Sequence, residues 1–379
     1  MIDEEETRTL RRLLLGLNDT QRAGSRELTE IERAFGSLGA LKNPSATVLS
    51  QIRSLSASLS RALRKEGLDS RGLRVEQDVA RFELKLTLFG DDDYPLGLLG
   101  LANPPLALFY RGRLPNQDRR RVAIVGSRQC TRYGARTARQ LAIDLVARGV
   151  EVVSGAARGV DRAAHEGALE ARGITHGILG CGLPRIYPQE HESLIKDIAT
   201  SGSVICEFSP LTPPMPGNFP RRNRIIAAMC DALVLVEAKE KSGGLITTRW
   251  AADLGRSVFV LPGQVDNPSS AGCLALMRDG VGMIRNAEDL VNDLGWPHES
   301  LEDQPASQDE VKDTGPAQHL TAAERRLLAC LDHEAMHLDA LLPSLDQTPG
   351  QVLTALLSLE LRGLVKQEPG MQFRRLTDF

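Results

Sequence analysis

The sequence predicts an α/β protein. Its body is a Rossmann-like, mainly parallel sheet flanked by helices, with an N-terminal helical (SAM-like) domain before it and a C-terminal winged helix after it. Three observations carry this reading. Short apolar runs alternate with helix-length segments between about Phe82 and Leu294, leucines recur at helical spacing before them, and a capped helical stretch ending in a hairpin closes the chain. Strands alternating with crossover helices build a parallel sheet covered on both faces. At 379 residues the chain exceeds one ordinary core, and it divides into 1–81 (helical), 82–294 (Rossmann-like), 295–318 (acidic linker) and 319–379 (winged helix).

The elements follow in order. Leu10, Leu13, Leu14 and Leu17 lie on one helical face, as do Ile52, Leu55, Leu59 and Leu63; Gly16, Gly24, Gly36, Gly39 and Gly67 punctuate these short helices. From Phe82 the period changes to two, with Leu84, Leu86 and Leu88 alternating as a strand before the turn Asp91-Asp92-Asp93-Tyr94-Pro95. Further strands are expected at Val122–Val125, Val150–Val153, Thr175–Leu179, Val204–Glu207, Ala232–Val236 and Val258–Leu261, with helices over about Tyr133–Arg148 and Val160–Arg172. Glu299, Glu302, Asp303, Asp309 and Glu310 make the linker acidic. Beyond it Thr321 and Glu324 form a capping box, Thr348-Pro349 opens another helix, and two strands flank Pro369-Gly370 as a wing.

Composition excludes several classes. Hydrophobic content of 42% and charged content of 25% are those of a soluble globular protein. No apolar run approaches a membrane span, and Met1-Ile2-Asp3-Glu4-Glu5-Glu6 is acidic where a signal peptide is positive, so a cytoplasmic protein is expected. Six scattered cysteines without a C-x-x-C pair read as buried thiols, with no metal site. The net charge of −3 argues against a globally basic nucleic-acid binder, yet arginines crowd Arg111–Arg139 and Arg221, Arg222 and Arg224. Only their convergence would make a field.

An open parallel sheet presents its ligand loops at the carboxyl ends of the strands. Those loops are Gly126-Ser127-Arg128, Ser154-Gly155-Ala156-Ala157-Arg158-Gly159-Val160-Asp161, Gly180-Cys181-Gly182 and Ser242-Gly243-Gly244-Leu245-Ile246-Thr247-Thr248. Glycine admits close backbone approach, and helix N-termini offer free N–H groups to phosphate. Several such loops on one edge, with Arg128 and Arg158, favour an anionic, phosphate-bearing ligand. No dinucleotide fingerprint or Walker lysine accompanies them, so neither NAD nor ATP is expected, and no cofactor is assigned. Asp161 and His165, four residues apart, read as a helix-start carboxylate and a partly buried histidine, since no nucleophile accompanies them.

The same residues carry a resemblance. Ile124-Val125-Gly126-Ser127-Arg128 with Tyr133-Gly134 resembles the opening motif of the DNA-processing protein A (DprA/Smf) family. Ser154–His165 resembles its S-G-x-A-x-G-[IV]-D-x-x-A-H segment, and Gly182–Pro188, Phe219–Ile226, Glu237-Ala238, Ser242–Thr247 and Leu261-Pro262-Gly263 continue the series in family order over about Tyr94–Gly280. Ala156 and Gly244 depart from a usual leucine and serine. The resemblance implies a protein, not an enzyme, that binds single-stranded DNA, dimerises, and helps load RecA recombinase during natural transformation. It places the strand-binding site on Gly126, Ser127, Arg128, Phe219, Arg221, Arg222 and Arg224; the loop reading adds Arg158, Ser242 and Gly243. Arginine neutralises phosphate, and a phenyl ring offers a stacking face. A homodimer through the body is expected, with Leu274, Leu276 and Met277 as its contact.

Bland alternatives stand beside these roles. Phe219 is an exposed ring in a proline-rich loop or a core plug. One of Arg222 and Arg224 is a structural ion-pair partner if they point oppositely, and Glu237 orients arginines instead of touching ligand. The competing enzyme is a nucleotide-processing phosphoribohydrolase of the LOG type, whose P-G-G-x-G-T-x-x-E loop aligns with Ser242–Trp250; Trp250 then stands where the catalytic glutamate belongs. A nucleotide-sensing transcription regulator rests on the winged helix alone, and its third helix, Gln351–Glu360, holds no Lys or Arg.

Overall fold

The computed structural model describes residues 4–21 and 66–297, and beyond them 327, 331, 336–337, 352, 356, 359, 365–368 and 372–375. The chain forms two compact units, Met1–Gln304 and Pro305–Phe379. The expected helix around Ile52–Leu63, the glycines at 24, 36 and 39, most of the acidic linker and the Thr321 capping box lie outside the described residues.

The first unit opens with α1 (Glu4–Asp19) and α2 (Leu68–Arg81). Gly16 does not end a helix as expected. It lies inside α1, where a Cβ would meet the Leu68 carbonyl oxygen at 2.1 Å, and Gly72 of α2 abuts the Arg12 carbonyl oxygen in the same way at 1.9 Å. The two glycines let the helices cross backbone to backbone. Leu15 and Val75 then join Phe109, Ile198 and Phe208 in one buried cluster, so these helices share a core with the sheet.

The sheet follows: β1 (Lys85–Leu88), β2 (Ala107–Gly112), β3 (Arg121–Val125), β4 (Glu151–Ser154), β5 (Thr175–Ile178), β6 (Ser203–Cys206), β7 (Ala232–Leu235), β8 (Ser257–Val260) and β9 (Gly282–Met283). Its order is β1-β2-β6-β5-β4-β3-β7-β8-β9. The strands from β6 to β9 are parallel, while β2 runs antiparallel to both β6 and β1. Strands β2 and β9 were not among the sequence expectations.

The helices are α3 (Arg132–Val146), α4 (Val160–Glu170), α5 (Glu192–Ser201), α6 (Asn218–Ala228), α7 (Gly243–Asp253), α8 (Ala271–Arg278) and α9 (Ala287–Asp293). Alternate strand residues feed two cores. Val122 and Ile124 pack with Leu141 and Leu145 of α3, Val160 of α4 and Leu290 of α9. Ala123 and Val125 pack with Ile225 and Ile226 of α6 and Ala251 of α7. This is the period-two burial of a sheet covered on both faces.

Phe219-Pro220 is not loop. It begins α6, because proline costs little in a first helical turn, whose N–H groups have no intrahelical acceptor. The arginines of Arg111–Arg139 do not converge either: Arg111 donates to the Phe82 carbonyl, Arg121 to that of Asn116, and Arg139 pairs with Glu170. Among the described residues no helix is long and apolar enough to cross a membrane.

In the second unit β10 (Met336–His337) and β11 (Val365–Glu368) flank β12 (Gln372–Arg375) in an antiparallel sheet, one strand more than the expected wing. Val352, Leu356 and Leu359 are helical and buried at the spacing of one helix face.

Candidate nucleic-acid interface

Strand order reverses between β3 and β7, and the loops after those strands part there. An open α/β sheet binds ligands at this switch point. A cleft of about 520 Å³ occupies it, walled by the loops after β3, β4 and β7 and by α6. Seven residues singled out in the sequence come together in its lining: Gly126, Ser127, Arg128, Arg158, Arg222, Ser242 and Gly243.

Each loop is held by local chemistry. The Ser127 N–H donates to the Glu237 carbonyl oxygen at 2.8 Å, and its hydroxyl accepts from Gln129 N–H at 3.1 Å, which turns the chain and throws Arg128 outward. Glu237 is buried, and its carboxylate accepts from the Thr131 N–H at 2.8 Å and the Thr131 hydroxyl at 2.5 Å. It therefore braces the loop after Arg128 and orients no arginine. Gly159, at φ +77°, precedes α4, where a Cβ would lie 2.2 Å from the Ser127 carbonyl oxygen. Ser242 caps α7 by accepting from Gly244 N–H at 3.3 Å, and the space beside Gly243 is open to 4 Å. That helix N-terminus faces the cleft with its partial positive charge uncovered.

The arginines divide by environment. Arg128 is exposed, its guanidinium 4.8 Å from the centre of the half-buried Phe219 ring, and no carboxylate pairs with it among the described residues. Arg158 is half exposed and bonded to Glu190 at 2.5 Å. Arg222 is buried and donates to the carbonyl oxygens of Gly155, at 2.5 Å, and Ile178. Burial pushes its guanidinium down to about 10, opposed by nearby Asp161, so it stays charged at neutral pH. Burial likewise raises Asp161, against the pull of Arg222.

Three predicted residues lie outside the cleft lining. Arg224 is buried against Glu207 and donates to the Asn103 carbonyl at 2.9 Å, so of the two arginines in question it is the ion-pair partner. Arg221 also reaches Glu207, at 3.2 Å, and the Gln21 carbonyl at 2.8 Å. Phe219 walls an adjoining small cavity, between Arg128 and Tyr187. In α8, Leu276 and Met277 pack half-buried on the body's own core, and Leu274 is half-buried beside them.

Sequence reasoning missed Lys239 and Lys241, both exposed and both lining the cleft. The signal was present: two lysines at alternate positions between a strand end and the Ser242 cap. Tyr187 was also passed over, although it is 40% exposed beside Phe219.

The fold and cleft define a class: a Rossmann-like protein with a basic, glycine-walled site at the topological switch point, joined to a second small unit. The family model for DNA recombination-mediator protein A matches residues 85–295, and that for the DprA winged helix domain matches residues 311–371. The chain belongs to the DNA recombination-mediator protein A (DprA/Smf) family, and its C-terminal unit is a winged helix. It is 35% identical over 314 residues to Protein Smf of Synechocystis sp., covering 75% of this chain and 78% of the relative. It superposes on DNA processing protein A of Streptococcus pneumoniae with TM-score 0.63 and 29% identity, over 77% of this chain and 98% of that one. DNA processing protein A of Helicobacter pylori, solved for its single-stranded DNA binding mode, matches with TM-score 0.50 and 30% identity, over 55% of this chain and 95% of that one.

Proposed function

We propose that the cleft binds single-stranded DNA and that the protein works by holding the strand, not by catalysis. The observation that carries this reading is Arg128: an exposed guanidinium without a carboxylate partner among the described residues, thrown into the cleft by a braced loop and seated over an aromatic ring. Lys239, Lys241 and the N-terminus of α7 add positive potential beside it. Such a surface tracks a phosphate backbone without reading sequence. The single-stranded DNA bound by the Helicobacter pylori relative supports the same assignment.

The family resemblance extends the proposal to RecA loading during transformation, to a homodimer through the body, and to the cytoplasm. The phosphoribohydrolase alternative loses support from Trp250. Its indole packs half-buried against the core of α6 and α7, and no carboxylate occupies that position.

A salt-dependent titration of the full chain with single-stranded and double-stranded oligonucleotides tests the reading. Preference for the single strand, with affinity falling as salt rises, is the expected result. Equal binding of both forms, or release of free base from nucleoside monophosphates, would overturn it.

A further inference from the structure

A second groove, of about 780 Å³, lies beside the cleft, and Arg158 lines both. Its walls include Arg185, Ile186, Tyr187, Pro213 and Pro214. A smaller cavity, lined by Arg128, Arg158, Tyr187, Pro188 and Phe219, joins the two. Nothing in the cleft's own chemistry explains an exposed tyrosine, prolines and an arginine arrayed along one continuous path.

We propose that this groove is a second nucleotide subsite, taking the nucleotide that follows the one held in the cleft; the proposal rests on the single-strand reading above. Tyr187 supplies the stacking face. The residue is 40% exposed, and the Phe219 ring packs against it with centroids 5.6 Å apart. Phe219 is half-buried with Arg128 over its ring and Tyr187 packed against it, so the more exposed Tyr187 is the residue with area for a base. Arg185 is exposed and has no carboxylate partner among the described residues, which leaves it for the phosphate. The groove's two glutamates do not oppose this assignment, since Glu190 is held by Arg158 at 2.5 Å and Glu192 by Lys196 at 2.9 Å. Arginine flanking an aromatic face along an unpaired strand is the usual division of labour for sequence-independent binding.

The experiment compares the full-length protein with Tyr187→Leu, Tyr187→Phe, Arg185→Ala and Arg128→Ala. The probes are a thymidine mononucleotide, too short to reach past the cleft, and a thymidylate oligonucleotide of about twelve nucleotides, within the site sizes such grooves cover. Tyr187→Leu is expected to weaken the longer probe roughly tenfold, as loss of one stacked base does, and to leave the shorter one unchanged. Tyr187→Phe should bind both like wild type, and Arg185→Ala should lower the salt slope on the longer probe by about 0.7. Equal behaviour of Tyr187→Leu and wild type, or equal losses on both probes, would overturn the subsite while Arg128→Ala still reports the cleft. A wild type that binds neither probe would overturn the single-strand reading itself. A further readout is 2-aminopurine placed in the longer probe: quenching on wild type that Tyr187→Leu abolishes supports the subsite, and quenching that persists in Tyr187→Leu refutes it.

Discussion

Replacing Arg128 by alanine isolates the electrostatics of the cleft. Four exposed cations line it, Arg128, Arg158, Lys239 and Lys241, of which Arg158 is already paired with Glu190. Each phosphate neutralised on a single strand releases about 0.7 counterion, so a strand touching the other three gives a log–log salt slope of about −2.1. Between about 50 and 200 mM salt, wild-type affinity then falls about 20-fold. Without Arg128 the slope becomes about −1.4 and the fall about 7-fold, on a baseline that is already weaker. Fluorescence anisotropy with a labelled oligonucleotide at four or more salt concentrations resolves this difference. Phe219→Leu provides the contrast: it removes the ring against which Arg128 and Tyr187 pack but no charge, so binding weakens with the slope nearly unchanged. Identical slopes for wild type and a folded Arg128→Ala variant would refute the placement of this arginine against phosphate.

The remaining predictions concern the scaffold. The Thr175 hydroxyl donates to the Val152 carbonyl, so the His165 Nδ1–H must donate to it and Nε2 is left unprotonated and unpartnered. Burial, with His176, His191 and Arg222 adding to it, pushes His165 down to about 3. The unfolded chain takes up this proton near pH 6.5 and the folded chain does not, so stability drops as pH falls between those values, by about 1.4 kcal/mol per unit. Denaturation midpoints measured across this window should show His165→Gln with a slope shallower by about one proton, and parallel slopes would refute the assignment. Glu207→Ala strands buried Arg224 without its counter-charge and is expected to cost about 3–5 kcal/mol by chemical denaturation; a loss below about 1 kcal/mol would show the pair to be incidental. Deleting residues 320–379 should leave most single-strand affinity in place, because every cleft residue lies in the first unit, and a large loss in a folded truncation would bring the winged helix into the primary site.

How far the sequence can be read depends on what each residue signals locally. The parallel strands β3 to β8 are legible to within a residue or so because each apolar run is followed by small residues and a helix, whereas the two-residue β9 carries no such run. Strand β2 has no such successor: Ala107–Gly112 runs on into Arg113 and a proline-containing segment, and only pairing with β1 and β6 makes it a strand. Gly16 reads as a breaker because its partner, Gly72, is distant in sequence, and only their crossing reveals why both are small. The cleft loops are legible as glycine-rich strand ends. The division among Arg221, Arg222 and Arg224 is not, since the three sit on one helix and only Glu207, Gly155 and Ile178, from elsewhere in the chain, decide which way each guanidinium turns.

Buried Arg222 reaches from α6 to the carbonyl of Gly155 after β4 and to that of Ile178 at the end of β5. One carbonyl belongs to the loop after β4 and the other to the last residue of β5, so the two bonds fasten that loop to the neighbouring strand. A single planar cation ties them to one helix, so the floor of the cleft has the same shape before and after a ligand arrives. Entry then costs little ordering entropy, and changes along the rim act mainly on how long a ligand stays, not on how fast it is captured. Both bonds come from Nη1, and Arg222→Lys keeps the charge but carries it on a shorter stem whose freely rotating ammonium is held less rigidly between the two carbonyls. Its signature is therefore a slower, two-phase approach to equilibrium in stopped-flow binding, as loops that were once a fixed floor must assemble around each incoming strand.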